Sequence, residues 1–247
     1  MNLGEFFKAN PKAALGFSGG VDSAYLLYAA KKYGADIQPY YIKTEFQPRF
    51  EYERAMRLCE ELKACAKIIE YDILSESDIA ENPQNRCYYC KRRMFSLLRE
   101  QAYRDGYSLI IDGTNASDAA SDRPGMRALG ELAVRSPLRE CGLTKAEIRA
   151  LSKEAGLFTW DKPAYACLAT RIPTDTQITA ELLTKIEKSE NALAEMGFSD
   201  FRVRIYHGAA RLQIRAEQFE RAACEREKIL QCLTPYFGNV LLDLKER

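Results

Sequence analysis

AALGFSGGVDSAYLLYAAKKYG, residues 13–34, reads as three elements in succession. An apolar run over 13–17 has the length of a buried strand, and an amphipathic pattern over 22–33 has the period of a helix. Between them stands Ser18-Gly19-Gly20-Val21-Asp22-Ser23. Gly19 and Gly20 let the backbone turn tightly and approach an anion with free N–H groups. The start of the following helix adds partial positive charge, and Ser18 and Ser23 add hydroxyls. Such a loop cradles phosphate, yet it lacks the lysine of the GxxxxGK[ST] type. A Ser/Gly turn that merely caps a helix would explain an isolated SGG; the complete SGGVDS between strand and helix leaves that explanation much the weaker.

Outward from this loop, IQPYYI (37–42), KIIEYDI (67–73) and YSLIIDG (107–113) read as further buried strands, with helices over 49–63 and 91–105 between them. Strands separated by helices imply crossovers and a mainly parallel sheet, hence an α/β fold. Ligands of such sheets sit beyond the carboxyl ends of the strands. Thr144 and Glu147 form a capping-box pattern that opens a helix over 144–155. Residues 156–175, with Gly156, Pro163 and Pro173, show no periodicity and read as a linker that doubles as a functional loop. Beyond it come a helix over 178–196, a hairpin (201–206 and 211–215), a helix over 216–232 and a strand over 239–244, a small α+β domain. The expected organisation is thus 1–156, a linker and cysteine loop over 157–175, and a second domain over 176–247.

The bulk composition narrows the function. Within 247 residues, 36 Lys and Arg face 35 Asp and Glu. This balance argues against a broad electrostatic footprint for nucleic acid. No apolar run approaches the roughly 20 residues of a membrane span, and no secretory signal is read, so a cytoplasmic location is expected. In that compartment eight cysteines are not a disulfide framework.

Their spacing carries chemistry instead. Cys87-Tyr88-Tyr89-Cys90 is a C-x-x-C, and Lys162-Pro163-Ala164-Tyr165-Ala166-Cys167-Leu168-Ala169 supplies a third thiol. A zinc site wants a fourth Cys or His, and the single histidine is His207. A thioredoxin-type pair would follow a first strand, which Cys87 and Cys90 do not. Three thiolates suit a [4Fe–4S] cluster with one open iron. Cys59, Cys65, Cys141, Cys224 and Cys232 are expected as small buried hydrophobes. Arg86, Lys91, Arg92 and Arg93 flank the C-x-x-C, where positive charge favours thiolates and anionic substrates. Arg202 and Arg204, two apart on a predicted strand, share one face and offer forks for carboxylate or phosphate. Neither His207 nor Trp160 is assigned to the site.

The SGGVDS loop resembles that of the PP-loop (N-type) ATP pyrophosphatases, and Gly113-Thr114-Asn115-Ala116-Ser117-Asp118 resembles the GTN-x-x-D element completing their site. The resemblance implies a PP-loop, adenine nucleotide α-hydrolase-like fold. It also implies attack of a substrate oxygen on the ATP α-phosphate, with Mg²⁺ on the phosphates and Ser18, Gly19, Gly20, Asp22, Ser23 and Asn115 around them; Arg123, in DRPG, is expected to reach them too. SGGVDS, RCYYCKRRMF, DGTNASD, DRPGMRAL, RSPLRECGLTKAEIR and KPAYACLATRIP, in this order, resemble the LarE family across nearly the whole chain. That family activates the carboxylates of a pyridinium biscarboxylic acid mononucleotide and replaces oxygen by sulfur, in the synthesis of the nickel-pincer nucleotide. One version sacrifices the sulfur of a cysteine matching Cys167. The other holds a [4Fe–4S] cluster through three cysteines, here Cys87, Cys90 and Cys167, and is favoured by their presence. The resemblance implies an external sulfide or sulfur donor and a homo-oligomer. It places Arg202, Arg204, Glu190 and Asp243 on the substrate side, with Glu187 the alternative to Glu190. Competing readings are a tRNA thiolase with a three-cysteine cluster, an amide-forming synthetase, and a nucleotide-binding regulator without chemistry.

Overall fold

A computed structural model of the chain describes residues 1–118 and 124–246. In chain order the elements are α1 (Leu3–Ala9), β1 (Lys12–Gly16), α2 (Val21–Lys32), β2 (Asp36–Lys43), α3 (Arg49–Glu61), β3 (Lys67–Glu70), α4 (Ser77–Ala80), α5 (Arg86–Arg104) and β4 (Ile110–Ile111). They continue with α6 (Pro124–Glu131), α7 (Pro137–Glu140), α8 (Lys145–Glu154), α9 (Ala180–Glu195), β5 (Arg202–Tyr206), β6 (Ala209–Gln213), α10 (Phe219–Cys224), α11 (Arg226–Leu233) and β7 (Val240–Leu242). No helix among the described residues is long and apolar enough to cross a membrane.

The chain forms two units, Met1–Asp72 with Asn85–Ala164, and Ile73–Gln84 with Tyr165–Arg247. The expected linker over 157–175 is therefore divided at 164/165, and a segment expected in the first domain belongs to the second unit. Backbone bonding explains the transfer: Ile178 donates its N–H to Ala80 O at 2.7 Å, Asp175 to Asn82 O at 2.9 Å, and Asn82 Nδ2 to Pro173 O at 2.7 Å. Apolar periodicity carries no trace of such side-chain and backbone pairings.

The first unit holds a four-stranded parallel sheet in the order β3-β2-β1-β4. Alternation along the strands divides its core. Ala13, Leu15 and Tyr41 pack with Phe6, Leu26, Leu58 and Ile148, from α1, α2, α3 and α8. Ala14, Tyr40, Ile42 and Ile110 pack with Leu98 and Ala102 of α5 on the other side. Both faces of β1 and of the carboxyl half of β2 are covered, which is why β1 reads as a continuous apolar run. β3, expected as a buried strand, is an edge strand and largely exposed, with Ile68 42% exposed. Capping boxes hold the starts of α1 (Asn2 with Glu5) and α8 (Thr144 with Glu147).

The second unit has a three-stranded sheet, β5-β6-β7, with β5 antiparallel and β7 parallel to β6. The hairpin stands as expected. The helix expected over 216–232 is instead a 3₁₀ turn, Ala216–Gln218, followed by α10 and α11, which are separated at Glu225 (φ −97°, ψ 15°).

Asp105, at the end of α5, ties three elements of the first unit together. It accepts from Tyr40 Oη at 2.6 Å and pairs with Lys67 Nζ at 2.8 Å. The Lys67 contact foremost, then the Tyr40 hydroxyl, hold its carboxyl down to about 2. A depressed carboxyl contributes stability above its ordinary range near pH 4, and loses it as pH falls through the folded value. Asp105→Asn should therefore lower the urea midpoint at pH 6, and the gap to wild type should close between about pH 4 and pH 2. A gap that stays constant across that window would show that the carboxylate is not what holds these strands to α5.

Candidate active site

The strand order makes β1 the point where the sheet changes direction, since β2 and β4 flank it. The loops leaving the carboxyl ends of β1 and β4 are consequently neighbours, at the crevice where open α/β sheets bind ligands. Contact between them is close. A Cβ on Gly113, after β4, would lie 2.9 Å from the backbone N of Ser23. Gly19 has φ +69°, and a Cβ there would lie 2.6 Å from Ala55 Cβ. Only glycine fits either constraint without displacement of the backbone.

Within the loop the two hydroxyls divide their work. Ser23, 3% exposed, donates to Gly20 O at 3.2 Å and accepts from Ser18 N at 3.4 Å, bracing the turn from inside. Ser18 is exposed, with its Oγ 3.2 Å from that of Ser23. Gly20 is the N-cap of α2 and has no side chain to satisfy the first-turn amides, so these remain available to an anion.

Asp22 is the hub where the two loops meet. Its Oδ1 accepts from Asn115 Nδ2 at 3.3 Å, and its Oδ2 pairs with Lys145 Nζ at 2.5 Å. Asn115 is oriented by its own turn, with Oδ1 accepting from Ser117 N at 2.8 Å and its N–H donating to Asp118 Oδ2 at 3.1 Å. Asp112, at the end of β4 and leading into the same loop, accepts from Thr114 Oγ1 at 2.5 Å and Ser136 Oγ at 2.7 Å. Lys145 opens α8, and its N–H donates to Ser117 Oγ at 2.9 Å. Sequence pattern singles out Asp22 and Asn115 but not Lys145. The one signal for it is RSPLRECGLTKAEIR itself, in which a lone lysine follows the N-cap Thr144. The crevice thus combines uncapped amides, a carboxylate, a carboxamide and one ammonium, the set that holds polyphosphate and a divalent cation. Arg123 lies outside the described residues.

Cys87 and Cys90 belong to the first turn of α5, which starts at Arg86 rather than at the expected 91. As i and i+3 they share one helix face. Cys87 is exposed and Cys90 half-buried, with its thiol 3.5 Å from Met94 Sδ. The buried Arg86 points Nη2 at Cys87 Sγ from 3.9 Å. All eight cysteines are thiols rather than disulfides. Of the five expected as small buried hydrophobes, only Cys59 is buried, its thiol pushed up to about 11 chiefly by that burial, while Cys141 and Cys232 are half-buried. Cys65 and Cys224 are exposed, because they sit where a turn follows α3 and at the outer end of α10. Within either unit, no three His, Cys, Asp or Glu side chains gather among the described residues. Reduced thiols at one-turn spacing nevertheless suit an iron–sulfur cluster by donor type.

In the second unit, half-buried Cys167 caps a 3₁₀ turn, Leu168–Arg171. Around it the sheet supplies guanidinium groups. Arg202 is 5% exposed and stacks over the Tyr165 ring at 4.8 Å, and Arg204 donates to Thr170 O at 2.5 Å and Gln213 Oε1 at 2.6 Å. Burial first, and then the charge of Arg171, pushes both guanidinium groups below their ordinary range. Asp243 accepts from Gln213 Nε2 at 2.8 Å and faces Arg211 at 3.6 Å; the Gln213 bond foremost lowers its carboxyl. Glu190 is buried against Arg171.

No family model matches the chain. Among curated proteins it is 32% identical over 205 residues to the pyridinium-3,5-bisthiocarboxylic acid mononucleotide synthase of Lactiplantibacillus plantarum, covering 82% of this chain and 74% of that one. An uncharacterized protein of Synechocystis sp. is 34% identical, over 89% of this chain and 82% of its own. A probable tRNA sulfurtransferase of Methanobrevibacter smithii is 25% identical, over 59% of this chain and 41% of its own.

The packing of Gly19 is open to a direct comparison. Gly34 also has positive φ (+74°), but a Cβ there would meet nothing within 4 Å. Gly34→Ala should cost about 1–2 kcal/mol, the left-handed penalty alone. Gly19→Ala should cost a further 1–3 kcal/mol or so from overpacking against Ala55. Equal losses in thermal unfolding would mean that α3 yields and the loop is not held by that contact.

Proposed function

The chain belongs to the LarE family, that of the pyridinium-3,5-bisthiocarboxylic acid mononucleotide synthase, and on that premise we propose how its two units divide an ATP-dependent sulfur transfer. It is a sulfurtransferase whose substrate is pyridinium-3,5-biscarboxylic acid mononucleotide. A substrate carboxylate oxygen attacks the ATP α-phosphorus, pyrophosphate leaves, and an acyl adenylate forms. Sulfide then attacks the acyl carbon, AMP leaves with the original oxygen, and a thiocarboxylate remains. The observation that carries this reading is the meeting of Asp22, Asn115 and Lys145 beside the uncapped amides of α2.

In this proposal the first unit has the PP-loop, N-type ATP pyrophosphatase fold. The amides of Gly19 and Gly20 and the exposed Ser18 hydroxyl hold the departing pyrophosphate. Lys145 neutralises charge that grows on the phosphates, and Asp22 would be a ligand to Mg²⁺, which would supply charge neutralisation on the phosphates. Cys87, Cys90 and Cys167 would hold a [4Fe–4S] cluster through three thiolates, and such a cluster would carry the sulfide to be transferred, drawn in turn from an external sulfur donor. Arg202 and Arg204 hold the nucleotide's carboxylate and phosphate. Support comes from their setting: burial first, then the charge of Arg171, lowers both Arg202 and Arg204, with Arg204 adding to the effect on Arg202 and Arg211 to that on Arg204, while Glu190 offsets part of it. An anion relieves that repulsion. Self-association as a homo-oligomer and a cytoplasmic location complete the proposal.

A tRNA thiolase is the second reading. The relative that favours it matches less of the chain at lower identity. The balance of 36 basic and 35 acidic residues also argues against a broad electrostatic footprint for a polyanion. Weak tRNA binding without a steep salt slope is expected; tight binding that falls steeply with salt would restore it.

Two measurements test the main reading. Asp22→Ala and Lys145→Ala should each reduce substrate-dependent pyrophosphate release by about 10²-fold or more, whereas Cys167→Ala should retain it and lose sulfur transfer. Undiminished release in the first two variants would remove the nucleotide from this crevice. Protein purified without oxygen should hold about four irons and matching labile sulfide per chain, lost in Cys87→Ala. Iron-free wild type after reconstitution would leave Cys167 as a sacrificial donor, visible as loss of the mass of H₂S, with Cys167 left as dehydroalanine, after a single turnover.

A further inference from the structure

Arg171 is the largest fully buried side chain among the described residues, its side chain 0% exposed, and it touches both peptide groups that flank Cys167. Its Nη1 donates to Ala166 O at 2.8 Å and to Cys167 O at 3.3 Å. The same nitrogen lies 2.9 Å from Thr170 Oγ1, which itself donates to Cys167 O at 2.8 Å. Thr170 N adds a third bond to that carbonyl at 3.0 Å. With the planes on both sides of its Cα clamped, Cys167 has a fixed φ and ψ, and so a fixed Cα–Cβ direction.

Glu190 completes this arrangement and has no capacity left over. Its Oε1 accepts from Arg171 Nε at 2.9 Å and from Val203 N at 3.0 Å; its Oε2 accepts from Arg171 Nη2 at 3.1 Å and Tyr165 Oη at 2.6 Å. A carboxylate offers about four acceptor sites, and the chain itself fills them. The Tyr165 ring also lies under Arg171 at 4.6 Å and Arg202 at 4.8 Å, and its phenol is pushed far up by burial and by Glu190. Buried ion pairs of this kind rarely stabilise more than apolar residues of equal volume would, so their value lies in fixing a geometry.

We propose that Arg171 and Glu190 are positioning residues for Cys167, and that Glu190 acts on the reaction through Arg171 rather than by touching substrate. This rests on the proposed role of Cys167 in sulfur transfer. Lysine cannot replace Arg171, because an ammonium lacks the planar fork that reaches Glu190 and both carbonyls at once.

The test uses the full chain with Arg171→Lys and, because that variant can fail to fold, Glu190→Gln, which keeps shape while leaving the guanidinium uncompensated. Sulfur transferred per pyrophosphate released should fall by about 10²-fold, with pyrophosphate release within about twofold of wild type. The KM for the nucleotide should stay within about twofold. Independently of activity, iron-free chain is treated with iodoacetamide and labelling is followed by peptide mass. Cys167 should react about tenfold faster in the variants as its clamp loosens, while Cys87, in the other unit, keeps its wild-type rate. An unchanged Cys167-to-Cys87 labelling ratio overturns the proposal. A raised KM with intact coupling also overturns it and returns Glu190 to the substrate. Wild type that labels as expected but shows no ATP-dependent sulfur transfer refutes the functional reading alone, and the labelling ratio then decides the positioning role by itself.

Discussion

The first unit depends on one constraint: β1 must pair with β2 on one edge and β4 on the other. Parallel pairing sends all these strands the same way, so the loops after β1 and β4 leave the sheet side by side. Everything chemical at the crevice follows from that adjacency. Gly113 brings the second loop to within contact of the Ser23 backbone, and only then do Asn115 and Lys145 reach the two oxygens of Asp22. A side chain at either close approach would separate groups that lie far apart in sequence and have no other reason to meet.

Glycine's role here is therefore positional rather than permissive. Gly19 is held in the left-handed region by a turn that faces Ala55 across a distance no Cβ tolerates. In return the N-terminus of α2 stays uncapped, since no side chain at Gly20 occupies the first-turn amides. An unsatisfied helix end is costly to leave to water alone, and that cost is what makes it a binding site for an anion.

Much of this was legible in the sequence, for a physical reason. A strand buried on both faces writes itself as an apolar run, as residues 13–17 do for β1, and 37–42 and 67–73 mark β2 and β3 within a few positions even though β3 lies exposed at the sheet edge. SGGVDS and GTNASD announce themselves by glycine and short polar side chains at strand ends. Three things were not legible. The start of α5 lies at Arg86 rather than 91, because Cys-Tyr-Tyr-Cys carries no helical period of its own. The segment Ile73–Gln84 joins the second unit through three or so hydrogen bonds to residues nearly a hundred positions away, which no local pattern encodes. Lys145 and Arg171 are single cations among 36, distinguished only by what they touch. The family resemblance places Glu190, with Glu187 as the alternative, on the substrate side, while its geometry is that of a carboxylate already fully engaged by the chain.

Charge placement links the two units' chemistry without reference to how they are arranged. In the first, the ionic groups at the crevice are already matched: Lys145 is held by Asp22, 34% and 22% exposed, so neither is sealed from solvent. Such a pair exchanges partners readily, Lys145 toward phosphate and Asp22 toward a divalent cation, and needs little reorganisation to do so. In the second unit Arg202 is buried and Arg204 half-buried; burial first, then the charge of Arg171, lowers both, and Glu190 offsets part of that, an arrangement an incoming anion would favour. Arg171, by contrast, is fully buried against a carboxylate of its own, which suits a group whose task is to hold Cys167 still. Exposed paired charges exchange, buried crowded like charges bind, and buried paired charges position. On the proposed reading, the chain uses the first for activating a carboxylate, the second for gripping the substrate, and the third for directing sulfur.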